Sequence, residues 1–74
     1  MDPSYVQFNP TNMYAKDPQQ RVIIATLVAQ SAPNGAAGAV VVNGWHTSRS
    51  DRRYHCTVDY YDFNGGFLTR RHIV

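Results

Sequence analysis

The chain predicts an α+β fold: one helix packed on a three-stranded antiparallel sheet, with an N-terminal arm able to add a fourth strand. Three observations predict it. Residues 54–74 read as two alternating strands joined at Asn64-Gly65-Gly66, a strong short-range hairpin signal. Asp17-Pro18-Gln19-Gln20 has the form of a helix start, and Pro33-Asn34-Gly35 the form of a stop. The hydrophobic fraction of 43% and aromatic fraction of 12% argue against intrinsic disorder.

Length and composition set the bounds. Seventy-four residues make one small domain, divided here into an arm, residues 1–16, and a single α+β unit, residues 17–74. A core of this size is marginal and usually leans on a staple or a partner. The staple is missing, because Cys56 is the single cysteine and no intrachain disulfide can form. A disulfide-dense secreted scaffold is thereby excluded, and a reducing compartment such as the cytoplasm is the expectation. Met1 is followed by Asp2-Pro3 rather than by a basic and then apolar segment, so no signal peptide is read. The apolar runs at 22–29 and 36–42 fall far short of a membrane span. Seven lysines and arginines against five acids give a net charge of +2, which permits contact with phosphate without demanding it.

The arm carries Tyr5, Val6, Phe8, Met13 and Tyr14, too many apolar residues for an idle tail. Pro3 and Pro10 break its regularity, and residues 4–8 between them suit a short strand with Val6 and Phe8 on one side. It packs on its own domain or reaches a neighbour. Termini are ordered only when tied down. In the helix, 18–31, Asp17 is placed to accept from the free N–H groups of the first turn, and Gln20 to reach back to it. Ile23, Ile24, Leu27, Val28 and Ser31 would share one face. The β-branched run Val22, Ile23, Ile24, Thr26, Val28 supports a buried strand instead, but the end signals favour helix. Residues 39–45 form the next strand, with Val40 and Val42 opposed to Val41. Residues 47–53, polar and charged, read as an exposed loop.

The hairpin sorts the chemistry. Side chains alternate along a strand, so Cys56, Val58 and Tyr60 share a face. A two-residue Asn64-Gly65 turn adds Phe67, Thr69, Arg71 and Ile73 to that face, the better core candidate. His55, Thr57, Asp59, Tyr61, Leu68, Arg70, His72 and Val74 fall on the other, with Asp59 opposite Arg70 as a cross-strand ion pair.

This sorting breaks up the sites the composition offers. A zinc site from His46, His55, Cys56 and His72 fails because His55 and Cys56 point apart, leaving no third convergent ligand. Cysteine nucleophilic catalysis fails because His55 and His72 lie on the face opposite Cys56. Asp59 and Asp62, three apart on a strand, face oppositely and make no acid–base pair. Asn64-Gly65-Gly66 joins strand to strand, so it is no phosphate loop. No catalytic residue, metal or cofactor is therefore expected, and the chain reads as non-enzymatic.

Two functional readings remain. The first is a small protein-interaction or assembly module, binding a protein partner or its own copies. It would act through the apolar arm and an exposed hairpin face carrying Tyr61 and Leu68, with Trp45 of the preceding strand also exposed, since aromatic residues and arginine are favoured interface anchors. The second is a nucleic-acid-binding accessory protein. There Tyr61 offers a stacking plane beside Arg70 and His72, and Arg49, Arg52 and Arg53 supply phosphate contacts. No nucleic-acid motif accompanies them.

Overall fold

The computed structural model describes residues 1–9, 18–42, 46–47 and 54–73. A 3₁₀ turn at Pro3–Tyr5 leads into strand β1, Val6–Phe8. Helix α1 spans Pro18–Gln30, followed by β2, Gly38–Val41, the two-residue β3, His46–Thr47, and the hairpin β4, Tyr54–Tyr61, with β5, Phe67–Ile73. The four longer strands run in the order β1-β2-β4-β5, with β3 paired to the start of β4. The α+β class is as expected, and the arm does add a strand.

That strand makes the sheet mixed. β1 runs parallel to β2, Val6 opposite Ala39 and Phe8 opposite Val41, while β2, β3 and β5 all pair with β4 in antiparallel fashion. Parallel neighbours need a crossover, and α1 supplies it, so β1-α1-β2 is a βαβ unit. Val6 is buried in the core, and Phe8 and Met1 pack against it. Residues 1–9 thus fold onto their own chain. The arm's remaining apolar residues, Met13 and Tyr14, lie outside the described residues, as does the proposed cap Asp17.

The core sits between α1 and the Cys56 face. Ile24, Val28, Val41, Val58 and Tyr60 are fully buried there, with Cys56 beside them. The buried stripe of α1 is Ile24, Ala25, Val28 and Ala29, not the expected Ile23, Ile24, Leu27, Val28 and Ser31. Ile23 is 43% exposed and Leu27 half-buried. The helix has turned so that Ala25 and Ala29, which have nothing beyond Cβ, lie inward. It also makes room for Tyr60, whose hydroxyl donates to the Val28 carbonyl at 2.7 Å.

The end of α1 is closed by the chain that follows it and by two side chains of the sheet. The last carbonyls of a helix have no partner within it. Leu27 O accepts from Ser31 N, Ala29 O from Ala32 N, Val28 O from Tyr60, and Ser31 O from the Arg71 guanidinium, which also stands 5.9 Å over the Tyr60 ring. The expected stop follows: Ala36 N donates to Pro33 O, and Gly35 takes φ +87°, where a side chain is disfavoured.

Strand β2 covers part of the expected 39–45, and residues 43–45 lie outside the described residues. Thr47, expected in a loop, pairs opposite Tyr54 in β3. Residues 48–53 are likewise outside the described set.

Candidate functional site

The β4–β5 hairpin turns differently from a two-residue Asn64-Gly65 loop. Gly65 N donates to Asp62 O, placing Phe63 and Asn64 at the two central positions of the turn, and Asp62 N donates to Gly66 O. Gly65 follows at φ +82°, which glycine adopts without strain. The Asp62 Oδ1 accepts from Asn64 N at 2.9 Å and Gly66 N at 2.7 Å, bracing the loop. A Cβ at Gly66 would stand 2.8 Å from that carboxylate, so glycine there keeps the brace intact.

The longer turn shifts the pairing by one residue, and a bulge shifts it back. Tyr61 stands opposite Phe67, but Tyr60 stands opposite Thr69, leaving Leu68 as the extra residue. Beyond the bulge the expected register holds, with Asp59 opposite Arg70 and Thr57 opposite His72. Phe67 is therefore not on the Cys56 face, as the regular ladder predicted. It packs edge-on against Tyr61 on the outer face, ring centroids 6.0 Å apart and planes at 73°, and is 59% exposed.

The outer face carries paired groups. Arg70 grips Asp59 through two bonds, Nε to Oδ1 at 2.6 Å and an amino nitrogen to Oδ2 at 3.0 Å. The Asp59 side chain is 10% exposed and that of Arg70 56%. The Arg70 hydrogen bond holds the Asp59 carboxyl below its ordinary range, against the opposing effect of burial. Thr57 Oγ1 and His72 Nδ1 are 2.9 Å apart. Of the residues expected to bind, Tyr61, Leu68, Arg70 and His72 do lie along one hairpin. Arg70 and His72 are engaged with strand neighbours, Leu68 sits at the bulge, and Tyr61 reaches the turn. Trp45, Arg49, Arg52 and Arg53 lie outside the described residues.

The chemistry tested above fares as follows. Cys56 is buried, and burial pushes its thiol up to about 11, so it stays protonated near neutrality. Among the described residues no group of three His, Cys, Asp or Glu side chains could hold a metal ion. No described helix is long and apolar enough to cross a membrane.

What sequence reasoning missed is an aromatic end. At the hairpin turn, Tyr5, Ala37, Gly38, Tyr61, Asp62 and Phe63 line a partly open cleft of about 450 Å³. Phe63 is 90% exposed and Tyr5 63%. The backbone places them together: Ala37 N donates to Tyr61 O, and Gly38 lies opposite Tyr61 and close under the Tyr5 carbonyl. Phe63 gave no direct signal, because an Asn64-Gly65 turn leaves it in the strand and only the longer turn makes it central. The outward turn of Phe67 carried none, because a bulge decides it.

No protein-family model, curated protein or solved structure matches this chain.

Proposed function

We propose that this chain is a small non-enzymatic protein-interaction module whose binding surface is the aromatic end of the hairpin. The observation that carries the reading is the grouping of Tyr5, Tyr61 and Phe63 around one cleft, with Phe67 against Tyr61. Tight turns favour Gly, Pro, Asn, Asp and Ser, whereas Phe63 presents a ring to solvent there. Exposed aromatic groups beside a cleft are what partner surfaces use as anchors. The arm's share in this surface is Tyr5, because Val6 and Phe8 are spent on the core.

The nucleic-acid reading draws less support. The Arg70 charge meets Asp59 and the Arg71 guanidinium meets the helix end, so neither is presented bare to a phosphate.

The test is affinity capture from the native host with immobilised wild-type protein beside Phe63→Ser and Tyr61→Ala variants of verified fold. Proteins retained by wild type and lost by both variants support the reading. The same set on all three surfaces rejects it.

A further inference from the structure

We propose that Asn34 is a site of covalent modification by deamidation, and that the hairpin brace shields the same dipeptide at Asn64. The inference is independent of the interaction reading above.

The chain holds Asn-Gly at 34–35, 43–44 and 64–65. The dipeptide is labile because glycine has no side chain to hinder its own nitrogen. That nitrogen attacks Cγ of the asparagine before it and gives up its proton. The new N–Cγ bond closes a five-membered imide, the Cγ–Nδ2 bond breaks, and ammonia leaves. Water then opens the ring. Cleavage of the new N–Cγ bond yields aspartate. Cleavage of the original backbone C–N bond yields isoaspartate, with the main chain running through Cγ. Either product lowers the net charge of +2 by one unit.

Two of the three pairs lie among the described residues, and they match in most respects. Asn34, Gly35, Asn64 and Gly65 are all exposed. Both glycines take a positive φ, +87° and +82°. Neither has an atom within 4 Å of where a Cβ would stand, so nothing crowds ring closure on that side.

The difference is at the attacking nitrogen. Gly65 N donates to Asp62 O at 3.0 Å, and the amides on either side of it, Asn64 N and Gly66 N, are both held by Asp62 Oδ1. The loop must release these bonds before Gly65 N can lose its proton and turn to Cγ. The 34–35 turn closes one residue later, through Ala36 N on Pro33 O at 3.2 Å. Gly35 N donates to no acceptor among the described residues, so it meets no such barrier. One neutral hydrogen bond slows opening by about fivefold and one to a carboxylate by about tenfold or more. Identical dipeptides therefore differ in rate by their hydrogen bonding alone.

The experiment is peptide mapping by mass spectrometry at mildly alkaline pH, with aspartate and isoaspartate peptides separated by chromatography. It is run on the native full chain and on the chain unfolded in guanidinium. Each native rate is divided by the unfolded rate at the same site, which removes the effect of sequence neighbours. Asn34 is expected to keep most of its unfolded rate, and Asn64 about a tenth of its own or less. Asp62→Ala should speed Asn64 at least threefold and leave Asn34 within twofold of wild type. Amide hydrogen exchange of wild type reads the same difference without a variant: Gly65 N–H protected, Gly35 N–H exchanging nearly as in an unfolded chain. Should Asp62→Ala loosen the whole fold, the wild-type rates and exchange decide. Equal ratios at the two sites, or a higher one at Asn64, overturn the assignment, as does a protected Gly35 amide.

Discussion

Two buried side chains on β4 show how far single residues are fixed by their surroundings. Cys56 has its pKa pushed up to about 11 by burial, so its thiolate is scarce at pH 8. Labelling by a thiol reagent at that pH should proceed at the rate of unfolding, and rapid labelling of the native protein would refute the face assignment. Tyr60 is fully buried and donates to the Val28 carbonyl. Tyr60→Phe keeps the ring but leaves that carbonyl without its donor, at a cost of about 1–2 kcal/mol read from denaturant unfolding. Asp59 gives a pH dependence of known sign. Its folded pKa is depressed by Arg70, so the pair's contribution is present above the unfolded value, about 4, and is lost as pH falls through the lower folded value. The thermal midpoint should drop less steeply below about pH 4 in Asp59→Asn than in wild type. Identical acid limbs would mean that the pair has no share in stability. Alternation made the Cys56 face legible in the sequence, and alternation with the register of an Asn64-Gly65 turn made the Asp59–Arg70 pair legible. It did not disclose Tyr60 and Arg71 as partners of the helix end, because those contacts depend on where α1 lies.

At the scale of elements, the hairpin holds two irregularities that cancel. The turn takes one residue more than Asn64-Gly65 requires, and the bulge at Leu68 returns the ladder to the expected register. This is why residues 56–60 were read correctly while Phe67 was not. A sequence shows parity, but it does not show where an extra residue is absorbed. The same argument makes a prediction. Deleting Leu68 removes the bulge and leaves each remaining pair in place, Tyr61 with Phe67 and Tyr60 with Thr69. Deleting Thr57 from the middle of β4 instead sends the side chains on one side of the cut to the opposite face. The first deletion should therefore fold with Cys56 still protected, and the second should not fold. An unfolded Leu68 deletion would show that the bulge is required rather than compensatory. The helix illustrates a different limit. Its end signals located Pro18–Gln30 to within a residue, yet its buried face was misread by one position. Hydrophobicity ranked Ile23 and Leu27 above Ala25 and Ala29, whereas close approach to the sheet favours the smaller pair.

For the whole molecule the question is what the N-terminal segment stabilises. The arm's apolar content was legible, but its parallel pairing was not, since a three-residue strand has too little pattern to choose a neighbour. The structure places Val6 in the core at 9% exposure, opposite buried Ala39, with Phe8 and Met1 packed against the same cluster. Burying a large apolar side chain contributes roughly 1.5–3 kcal/mol, less where burial is partial. A chain of this length holds about 4–11 kcal/mol in all, at the usual stability per residue. Removing residues 1–9 also strips the outer edge of β2 and half of the βαβ unit. The deletion should therefore abolish cooperative thermal unfolding, or lower the midpoint by more than 15 °C, given that about 1 kcal/mol moves a domain of this size by roughly 4–8 °C. Val6→Ala, which keeps the strand and removes only its buried methyl groups, should cost about 1–3 kcal/mol and remain cooperative. The two variants together distinguish a structural strand from a linking arm. If residues 1–9 served only to reach another copy, the deletion would leave the midpoint of dilute monomer unchanged and would alter mass alone. With Val6 inside the core, the expected order is the reverse: the midpoint of the dilute monomer falls.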